Sequence, residues 1–349
     1  MRVLGLYTRG VERVNIALLG AGTVGSAFAR LVAQQRQRLA GLGIEVELGK
    51  VLVRDPSKVR EGIPAEKLTD QTEGLLEEAD VLVEVMGGTS LAKKLVLDAL
   101  EQGIPVITAN KALLAEAWGE LRPYADDGLL YYEASVMAAT PVVSALSGVL
   151  WGSHLLELHA ILNGTTNYIL NRLEGGATYA EALAEAQAKG YAEADPTLDV
   201  EGLDAAHKLT VLARLCADPD YPWEEVRAHT RGITHLTPAD LEDARQQGQT
   251  IRLVGSLYPE NGRWKAVVRP VRLPLEHPLA RAGSARNGLV LRGDACGELV
   301  FMGAGAGGAA TASAVLGDLY QLLMGVPGHA PISAKAPVPD YPAERLEEV

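Results

Sequence analysis

A group of carboxylates that ends in a lysine is the part of this sequence richest in groups that could do chemistry. The segment GYAEADPTLDVEGLDAAHK spans residues 190–208 and closes on Lys208. The acidic residues before that lysine are Glu193, Asp195, Asp199, Glu201 and Asp204. Such a segment fits a solvated acidic loop, a metal site or a pocket for a cationic group. On a helix, Asp204 and Lys208 would share one face, as ordinary surface ion pairs do.

Metal binding is the weakest of these three interpretations. His207 adjoins the acids, but the spacing is not one typical of zinc sites. The alternating oxygens and the closing glutamate of a calcium loop are also missing. Pro196 and two glycines favour a shaped loop over a solvated one. A pocket for an α-ammonium group fits better, because an amino-acid substrate needs carboxylates for its ammonium and a cation for its carboxylate.

The first third of the chain predicts a dinucleotide site. VNIALLG, residues 14–20, is a short apolar run, and the glycines of GAGTVG follow it. Apolar residues then recur on one face of a helix. Strand, glycine turn and helix form the context in which GxGxxG holds a pyrophosphate, although the motif alone could be a plain turn. The predicted cofactor contacts in this turn are Gly20, Gly22, Thr23, Val24 and Gly25.

The end of the second predicted strand bears on the choice of cofactor. LGKVLVRDP, residues 48–56, ends in Arg54 and Asp55, and Lys58 follows. An acidic residue at this point binds ribose hydroxyls in NAD sites, whereas an arginine accommodates the 2′-phosphate of NADP. Arg54 and Lys58 therefore favour NADP, and Asp55 keeps NAD as an alternative. A solvated strand end is the remaining interpretation.

Lys111 follows a later strand at the point where ligands of open α/β sheets bind. IPVITANKALL, residues 104–114, predicts that strand, and Lys111 lies just past its carboxyl end. We predict that it is an active-site cation; the alternative is a surface lysine at a helix N-terminus, where a positive charge is unfavourable. Acids and lysines beside a dinucleotide domain predict a nicotinamide dehydrogenase that acts on an amino acid.

Composition excludes several other classes of protein. The 349 residues carry a formal net charge of -12 without a basic run, which disfavours nucleic acid or an anionic membrane as a partner. Cys216 and Cys296 are the only cysteines, so we expect no disulfide framework and a cytoplasmic location. No apolar run reaches the roughly 18–20 residues of a membrane helix, and the charged N-terminus does not resemble a signal peptide.

Together these segments resemble the homoserine dehydrogenase family. The acidic segment matches the family signature D-V-x-G-x-D-x-x-x-K from Asp199 to Lys208. The likeness extends from about Val14 to Leu323. The other segments that carry it are GAGTVG, TANK at 108–111, EASV at 133–136, NGTTNYIL at 163–170 and GAGAGGAATASAVLGDL at 303–319.

The resemblance implies NAD(P)-dependent interconversion of L-homoserine and L-aspartate 4-semialdehyde, a step toward threonine, methionine and isoleucine. It implies that Glu193 and Asp204 hold the substrate, with Asp199 nearby. Lys208 would donate the proton when the aldehyde is reduced, and Lys111 would lie between cofactor and substrate. The resemblance also implies backbone contacts to the cofactor from Gly190 and Gly305. For Gly190 the structural alternative is the C-cap of the preceding helix.

The resemblance further implies a sodium ion and an oligomer. The matching sodium ligands are Glu133, Val136, Ala138 and Thr140, in a loop with fewer glycines than the family pattern. Many relatives continue into a regulatory ACT domain, which this sequence does not show, so threonine feedback through such a domain is not expected. The second domain forms the oligomer in the family, which implies at least a homodimer.

The expected fold class is α/β: a Rossmann-type doubly wound parallel sheet plus an α+β substrate and oligomerisation domain, with the C-terminal helix returning to the nucleotide-binding domain. The predicted segments are an N-terminal arm at 1–13, the dinucleotide-binding domain at 14–135, the second domain at 136–302, the C-terminal helix at 303–325 and a tail with little fold at 326–349. Two other functions stay open, an aspartate-type amino-acid dehydrogenase and a non-catalytic dinucleotide sensor. A sensor, however, would have no reason to keep Lys111, Glu193, Asp204 and Lys208 together.

Overall fold

The computed structural model describes residues 12–332 and 334–349. The strands are β1 Glu12–Leu19, β2 Ile44–Leu52, β3 Leu68–Thr69, β4 Val81–Glu84, β5 Val106–Thr108, β6 Leu130–Tyr131, β7 Leu155–Ile161, β8 Gln249–Glu260, β9 Arg263–Pro274, β10 Arg286–Gly293, β11 Gly297–Ala304 and β12 Glu347–Glu348. The predicted N-terminal arm lies outside the described residues except at its end, where β1 already begins.

The α-helices connect and cover these strands. They are α1 Thr23–Gln34, α2 Arg36–Gly41, α3 Ser90–Glu101, α4 Lys111–Glu116, α5 Trp118–Asp126, α6 Val142–Leu146, α7 Gly164–Glu174, α8 Tyr179–Ala188, α9 Thr197–Val200, α10 Leu203–Cys216, α11 Trp223–Ala228, α12 Pro238–Gln246 and α13 Gly308–Leu323. Among the described residues we find no helix whose length and apolar character would let it span a membrane.

The chain divides into two compact units. The parallel-sheet unit runs to Val143 and also contains 306–330, and the antiparallel-sheet unit contains 144–305 and 331–349. In the first unit the strands pair in parallel in the order β3-β2-β1-β4-β5-β6. That order is the Rossmann arrangement, in which the chain reverses its direction of winding between β1 and β4. The predicted parallel sheet is confirmed.

The core of the parallel-sheet unit explains why its first and last helices belong together. The apolar face of α1, including Phe28 and Val32, is buried in one cluster with Val315 and Leu319 of α13. This cluster also contains Ile16 of β1. Burial of such side chains stabilises the fold by about 1.5–3 kcal/mol each. The C-terminal helix therefore returns to this unit, as expected.

The second unit is built on an antiparallel sheet. Its strand order is β11-β10-β7-β8-β9-β12, and its neighbouring strands pair antiparallel. Helices α7, α10 and α12 pack on β8, and α10 also packs on β9. The helix α8 begins with a capping box formed by Thr178 and Glu181. These elements confirm the predicted α+β character.

The last residues of the chain have more structure than the sequence predicts. Although 326–349 is rich in proline and polar residues, β12 pairs with β9. The N–H of Ala336 donates to the carbonyl of Ala217 at 2.7 Å, and the N–H of His329 donates to that of Leu130 at 2.9 Å. Outside the two residues of β12, the described part of this segment has no helix or strand, yet these hydrogen bonds attach it to other elements. Backbone groups bonded to distant parts of the chain hold this segment, and composition alone does not reveal such partners.

Candidate active site

The glycine turn after β1 excludes side chains at two of its glycines. Gly20 has a φ of +95°, and a Cβ there would lie 2.9 Å from the Cα of Met86. A Cβ on Gly25 would lie 2.0 Å from the carbonyl oxygen of Gly20. Gly22 differs, because no described atom lies within 4 Å of a Cβ at that position. The turn therefore closes tightly against the residues after β4 and leaves open space beside Gly22.

The N-terminus of α1 is exposed to solvent and has no capping side chain. Gly22 is the N-cap residue, and the first turn contains no acidic residue. The first helical hydrogen bond is donated by the N–H of Ser26 to Gly22 at 3.0 Å. The N–H groups of Thr23 and Val24 precede that bond and carry the positive end of the helix dipole. The turn and helix fit the pyrophosphate of a dinucleotide.

The residues after β2 are arranged around Asp55. Its carboxylate accepts hydrogen bonds from the hydroxyl of Ser57 at 2.6 Å and the N–H of Ser57 at 3.1 Å. These bonds hold the pKa of Asp55 below its usual range. Lys58 lies 3.7 Å from the same carboxylate, while Arg54 is exposed. Of the two predicted phosphate ligands in this loop, Arg54 is therefore the one that forms no ion pair with the described residues.

A buried carboxylate positions the loop after β4 and the start of α4. Glu84 is fully buried and accepts from the N–H groups of Met86 and Gly87 and, at 2.6 Å, from the hydroxyl of Thr108. Burial raises the pKa of Glu84. The Thr108 oxygen in turn accepts from the N–H of Asn110 at 3.0 Å. This chain of hydrogen bonds joins the carboxyl ends of β4 and β5.

Asn110 carries that network to Lys111. Its amide donates to the carbonyl of Gly88 at 2.7 Å, and its oxygen caps α4 by accepting from the N–H of Leu113 at 3.1 Å. Lys111 is the first residue of α4, so its position is fixed by Glu84, Thr108 and Asn110. The sequence signal for this network was an acidic residue that ends the apolar strand VLVE.

The predicted sodium loop has an unusual backbone. Met137 and Ala138 are buried, and both adopt left-handed conformations, with φ of 57° and 47°. Such conformations are uncommon for residues other than glycine and concentrate at functional sites. The carboxylate of Glu133 accepts from the N–H of Val143 at 3.0 Å. Carboxylate and backbone carbonyl oxygens are ligands suited to hard cations.

The acidic segment divides into structural and clustered carboxylates. Asp195 accepts from the N–H and hydroxyl of Thr197 at the start of α9, and these bonds lower its pKa. Glu201 accepts from the hydroxyl of Thr234 at 3.1 Å. Glu193 lies in an exposed part of the loop, where its carbonyl accepts from Gln187 at 3.0 Å. None of these three carboxylates is hydrogen-bonded to Lys208 within the described residues.

Gly190 ends α8 in the way predicted for a C-cap glycine. It has a φ of 73°, and its N–H donates to the carbonyl of Gln187 at 3.0 Å. The N–H of Tyr191 donates to that of Ala186 at 2.8 Å, which completes a Schellman motif. The carbonyl of Tyr191 then accepts from the hydroxyl of Thr165 at 2.6 Å, so this turn is tied to the start of α7.

Asp199, Asp204 and Lys208 come together around Asn163. The Asn163 amide nitrogen donates to Asp199 at 2.7 Å and to Asp204 at 2.8 Å. Lys208 donates to the same oxygen of Asp204 at 2.7 Å. Burial, and next the charge of Asp204, raises the pKa of Asp199. We name Asn163, Asp199, Asp204 and Lys208 the carboxylate–lysine cluster.

The ion pair of Asp204 and Lys208 is buried, which overturns the alternative of a surface ion pair. The side chains of Lys208 and Asp204 are 9% and 11% exposed. Lys208 also donates to the carbonyl of Leu162 at 2.8 Å, and the amide of the fully buried Asn287 donates to that carbonyl at 3.0 Å. A buried ion pair is costly unless further hydrogen bonds satisfy it, and these contacts do so.

Gly305 is tied to the same neighbourhood. A Cβ at Gly305 would lie 2.0 Å from the Asn287 side-chain oxygen. That oxygen is buried and has no hydrogen-bond partner among the described residues. An alanine at Gly305 would thus displace Asn287, which shares the Leu162 carbonyl with Lys208. Asn163 and Asn287 are polar residues of this site that the residue-by-residue interpretation of the sequence missed.

Two protein-family models together match most of the chain. The family model described as "Homoserine dehydrogenase" matches residues 141–320, and "Homoserine dehydrogenase, NAD binding domain" matches residues 20–129. The homoserine dehydrogenase of Mycobacterium tuberculosis strain H37Rv is 45% identical over 317 residues, covering 88% of this chain and 71% of that protein.

Solved structures show the same similarity. The crystal structure of a homoserine dehydrogenase from Thiobacillus denitrificans has a TM-score of 0.83 and 35% identity, covering 90% of this chain and 74% of that chain. A hyperthermophilic archaeal homoserine dehydrogenase in complex with NADPH has a TM-score of 0.74 and 26% identity, covering 91% and 99%. With its Rossmann sheet and its carboxylate–lysine cluster, the chain belongs to the homoserine dehydrogenase family, whose members are oxidoreductases.

Proposed function

We propose that this chain catalyses the NAD(P)-dependent interconversion of L-homoserine and L-aspartate 4-semialdehyde. The observation that carries the proposal is the carboxylate–lysine cluster, in which the buried Asp204 and Lys208 and the half-buried Asp199 are joined by hydrogen bonds. Burial raises the pKa of Asp199, and groups with such raised pKa values concentrate at functional sites. Membership of the homoserine dehydrogenase family supports the substrate assignment.

The carboxylates suit the ammonium end of the substrate. Asp204 and Asp199 present two negative charges within reach of one amide donor, so a substrate ammonium would find acceptors already oriented. We assign them, with Glu193, to substrate binding. Glu193 is exposed, and its part therefore depends on movement of the loop when substrate binds.

Lys208 suits the reacting oxygen. A lysine ammonium has three N–H donors, and the described contacts occupy two of them, to Asp204 and Leu162. The nicotinamide dinucleotide would supply the hydride for the aldehyde carbon in reduction and would accept it from the alcohol carbon in oxidation. In reduction, Lys208 places its proton on the former carbonyl oxygen; in oxidation, it recovers that proton from the hydroxyl. Lys111 is assigned as a second active-site cation.

The substrate assignment is tested with an analogue that lacks the ammonium. 4-Hydroxybutanoate keeps the hydroxyl and the carboxylate of homoserine but has no α-amino group. The kcat/KM for it should be lower by about 10⁴-fold, because the buried carboxylates would lose their charged partner. Comparable kcat/KM values for the two compounds would refute the assigned role of Asp199 and Asp204. A site for a simple primary alcohol would give that result.

The glycine turn gives a matched pair of variants for cofactor binding. Gly22→Ala has room for its methyl group in the protein, so stability should be unchanged, but the methyl fills the space assigned to the pyrophosphate. We expect the cofactor KM to rise about 10-fold or more, which corresponds to the roughly 1.4 kcal/mol lost with one charge-assisted hydrogen bond. Gly25→Ala should instead lower the melting temperature, because its methyl meets the Gly20 carbonyl.

Both outcomes are measured by thermal unfolding and by initial rates at varied cofactor concentration. Unchanged cofactor KM in a stable Gly22→Ala would show that the dinucleotide binds elsewhere. We also assign contacts with the dinucleotide to Thr23, Val24, Gly190 and Gly305, and these assignments assume that the cofactor binds at the glycine turn.

We assign NADP as the preferred cofactor. The support is the exposed guanidinium of Arg54, which follows β2, and the related archaeal enzyme in complex with NADPH. Arg54→Gln should raise the KM for NADP by about 10-fold while changing that for NAD little, because only NADP carries the 2′-phosphate. Lys58→Gln is the comparison, and its effect should be smaller because Lys58 is paired with Asp55. Equal effects of Arg54→Gln on both cofactors would reject the preference.

We further assign a sodium ion to Glu133, Val136, Ala138 and Thr140. Support comes from the chemistry of the donor set, an oxygen-rich group around the left-handed residues Met137 and Ala138. The carboxylate of Glu133 and the carbonyl groups would hold the ion, which would supply a fixed positive charge that organises this loop.

We also propose a homodimer that functions in the cytoplasm, in the biosynthesis of threonine, methionine and isoleucine. The support for dimerisation is β11, which forms one edge of the antiparallel sheet and carries Val300 at 47% exposure. Exposed apolar edge strands pair readily with a second copy of the same chain. The low cysteine content supports the compartment.

A further inference from the structure

A second cluster of titratable side chains lies in the antiparallel-sheet unit. Glu157 and His159 lie two positions apart on β7 and therefore point to one face of the sheet. Glu344 of the C-terminal segment joins them there. One ligand atom from each of the three lies within 4.8 Å of the others. Glu157 and His159 are 1% and 2% exposed. No part of the proposed reaction uses these residues.

The imidazole of His159 is oriented as a metal ligand would be. Its Nδ1 lies 2.9 Å from the hydroxyl of Ser256, which can accept the Nδ1 proton and leave a lone pair on Nε2. Nε2 is buried and has no hydrogen-bond partner among the described residues. The nearest carboxylate oxygen, on Glu157, is 3.8 Å away, which is too long for a hydrogen bond. Buried polar atoms are rarely left unsatisfied.

The charge around the cluster is unbalanced. Arg292 is the central cation, and it lies 2.8 Å from Glu157, 3.0 Å from Glu298 and 3.5 Å from Glu344. Three carboxylates against one guanidinium leave an excess of two negative charges when the histidines are neutral. A divalent cation would balance this excess.

His277 is a neighbour of this cluster but not a ligand. Its Nδ1 accepts from the N–H of Leu279 at 3.1 Å, so in the neutral ring the proton is on Nε2, which faces Glu344 at 4.0 Å. The donors for a metal are therefore one imidazole nitrogen and two carboxylates.

We propose that Glu157, His159 and Glu344 bind a divalent metal ion of the Zn²⁺ class. Zn²⁺ takes imidazole nitrogen and carboxylate oxygen at about 2.0–2.2 Å, so the three donor atoms need to close by only about an ångström. Ser256 supplies the partner on the other ring nitrogen that metal-binding histidines usually have. Because β7 and the C-terminal segment both contribute, the ion would fasten that segment to the sheet.

The test is a titration of the chelator-treated full chain with Zn²⁺ in competition with a coloured chelator. Wild type should bind one tight equivalent and show a raised melting temperature. Glu344→Gln should weaken this binding about 10-fold or more, and Ser256→Ala, which keeps all three ligands, should weaken it about 10–100-fold. Both are small, isosteric or truncating changes, and unfolding without metal checks that each variant folds.

Matched controls separate this site from general binding to histidines and acids. His235→Gln removes an exposed histidine, and Glu347→Gln removes an exposed glutamate of the same C-terminal segment; neither should alter the tight equivalent. Mg²⁺ in excess should not displace Zn²⁺, because an imidazole ligand favours the borderline metal. Absence of a tight equivalent in wild type, or equal affinity in wild type and Glu344→Gln, would overturn the proposal. Dehydrogenase activity is not used as a readout, so the two proposals fail independently.

Discussion

Replacing Lys208 with methionine should lower kcat by about 10²–10⁴-fold, the usual contribution of a general acid. Methionine keeps most of the apolar stem of the side chain but removes the ammonium, with its proton and its two hydrogen bonds to Asp204 and Leu162. The measurement is the rate of NADPH oxidation with L-aspartate 4-semialdehyde and of NADP reduction with L-homoserine. Both directions should lose rate, because the same group gives and recovers the proton.

A control variant distinguishes the general effect of removing an ion-paired lysine from the specific effect of removing Lys208. Lys265 of β9 is also ion-paired, at 2.6 Å from Glu260, and Lys265→Met should keep wild-type kcat. Lys208→Met also leaves Asp204 without its cation, so some loss of stability is expected, of about 3–5 kcal/mol for a broken buried pair. Rates are therefore compared below the melting temperature of the variant, with cofactor binding as a check on folding. Wild-type kcat in a folded Lys208→Met would remove Lys208 from the mechanism.

Replacing Asn163 with alanine should have the second large effect, on substrate KM. The Asn163 amide is the shared donor to Asp199 and Asp204, and its oxygen caps α7 by accepting from Thr166 at 2.8 Å. Alanine removes the donor that lowers the pKa of Asp199, so that pKa should rise further. Since the ammonium needs an ionised carboxylate, the fall of kcat/KM on the acidic side should begin at a higher pH than in wild type.

A serine at position 163 separates the two roles of Asn163, which are to cap α7 and to donate hydrogen bonds to Asp199 and Asp204. Asn163→Ser keeps an oxygen that can cap α7, so it should recover the roughly 1 kcal/mol of stability that Asn163→Ala loses at the cap. It cannot donate to both carboxylates, so the increase in homoserine KM, about 10-fold or more for a lost charge-assisted bond, should persist. The measurements are thermal unfolding and the pH profile of kcat/KM. A pH profile equal to that of wild type in both variants would contradict the positioning role.

Local sequence patterns were sufficient to predict helices, strands and turns, and the parts of the site that lie within a single one of them. The glycines of GAGTVG predicted the tight turn, because close approach of backbone permits no Cβ at Gly20 and Gly25. The spacing of Asp204 and Lys208 predicted one helix face, and both lie on α10. The capping box of Thr178 and Glu181 at the start of α8 is a signal of the same local kind, because it involves only neighbouring residues.

The rest depended on partners that are distant in sequence. Glu84 is bonded to Thr108, 24 residues away, and Asn163 to Asp204, 41 residues away. The contact between Glu157 and the Glu344 N–H joins residues 187 apart. A single polar residue in an apolar strand gives no sign of which side chain will meet it. The same spacing of Asp204 and Lys208 occurs on any surface helix, so only the fold could show that this pair is buried.

Turnover of the wild-type chain is the most direct test of the proposed reaction. The purified protein is incubated with L-homoserine and NADP, and in the reverse direction with L-aspartate 4-semialdehyde and NADPH, while the absorbance of the reduced nicotinamide is followed. We predict turnover in both directions, with NADP preferred to NAD. A correctly folded protein that shows no turnover in either direction with either cofactor would contradict the account.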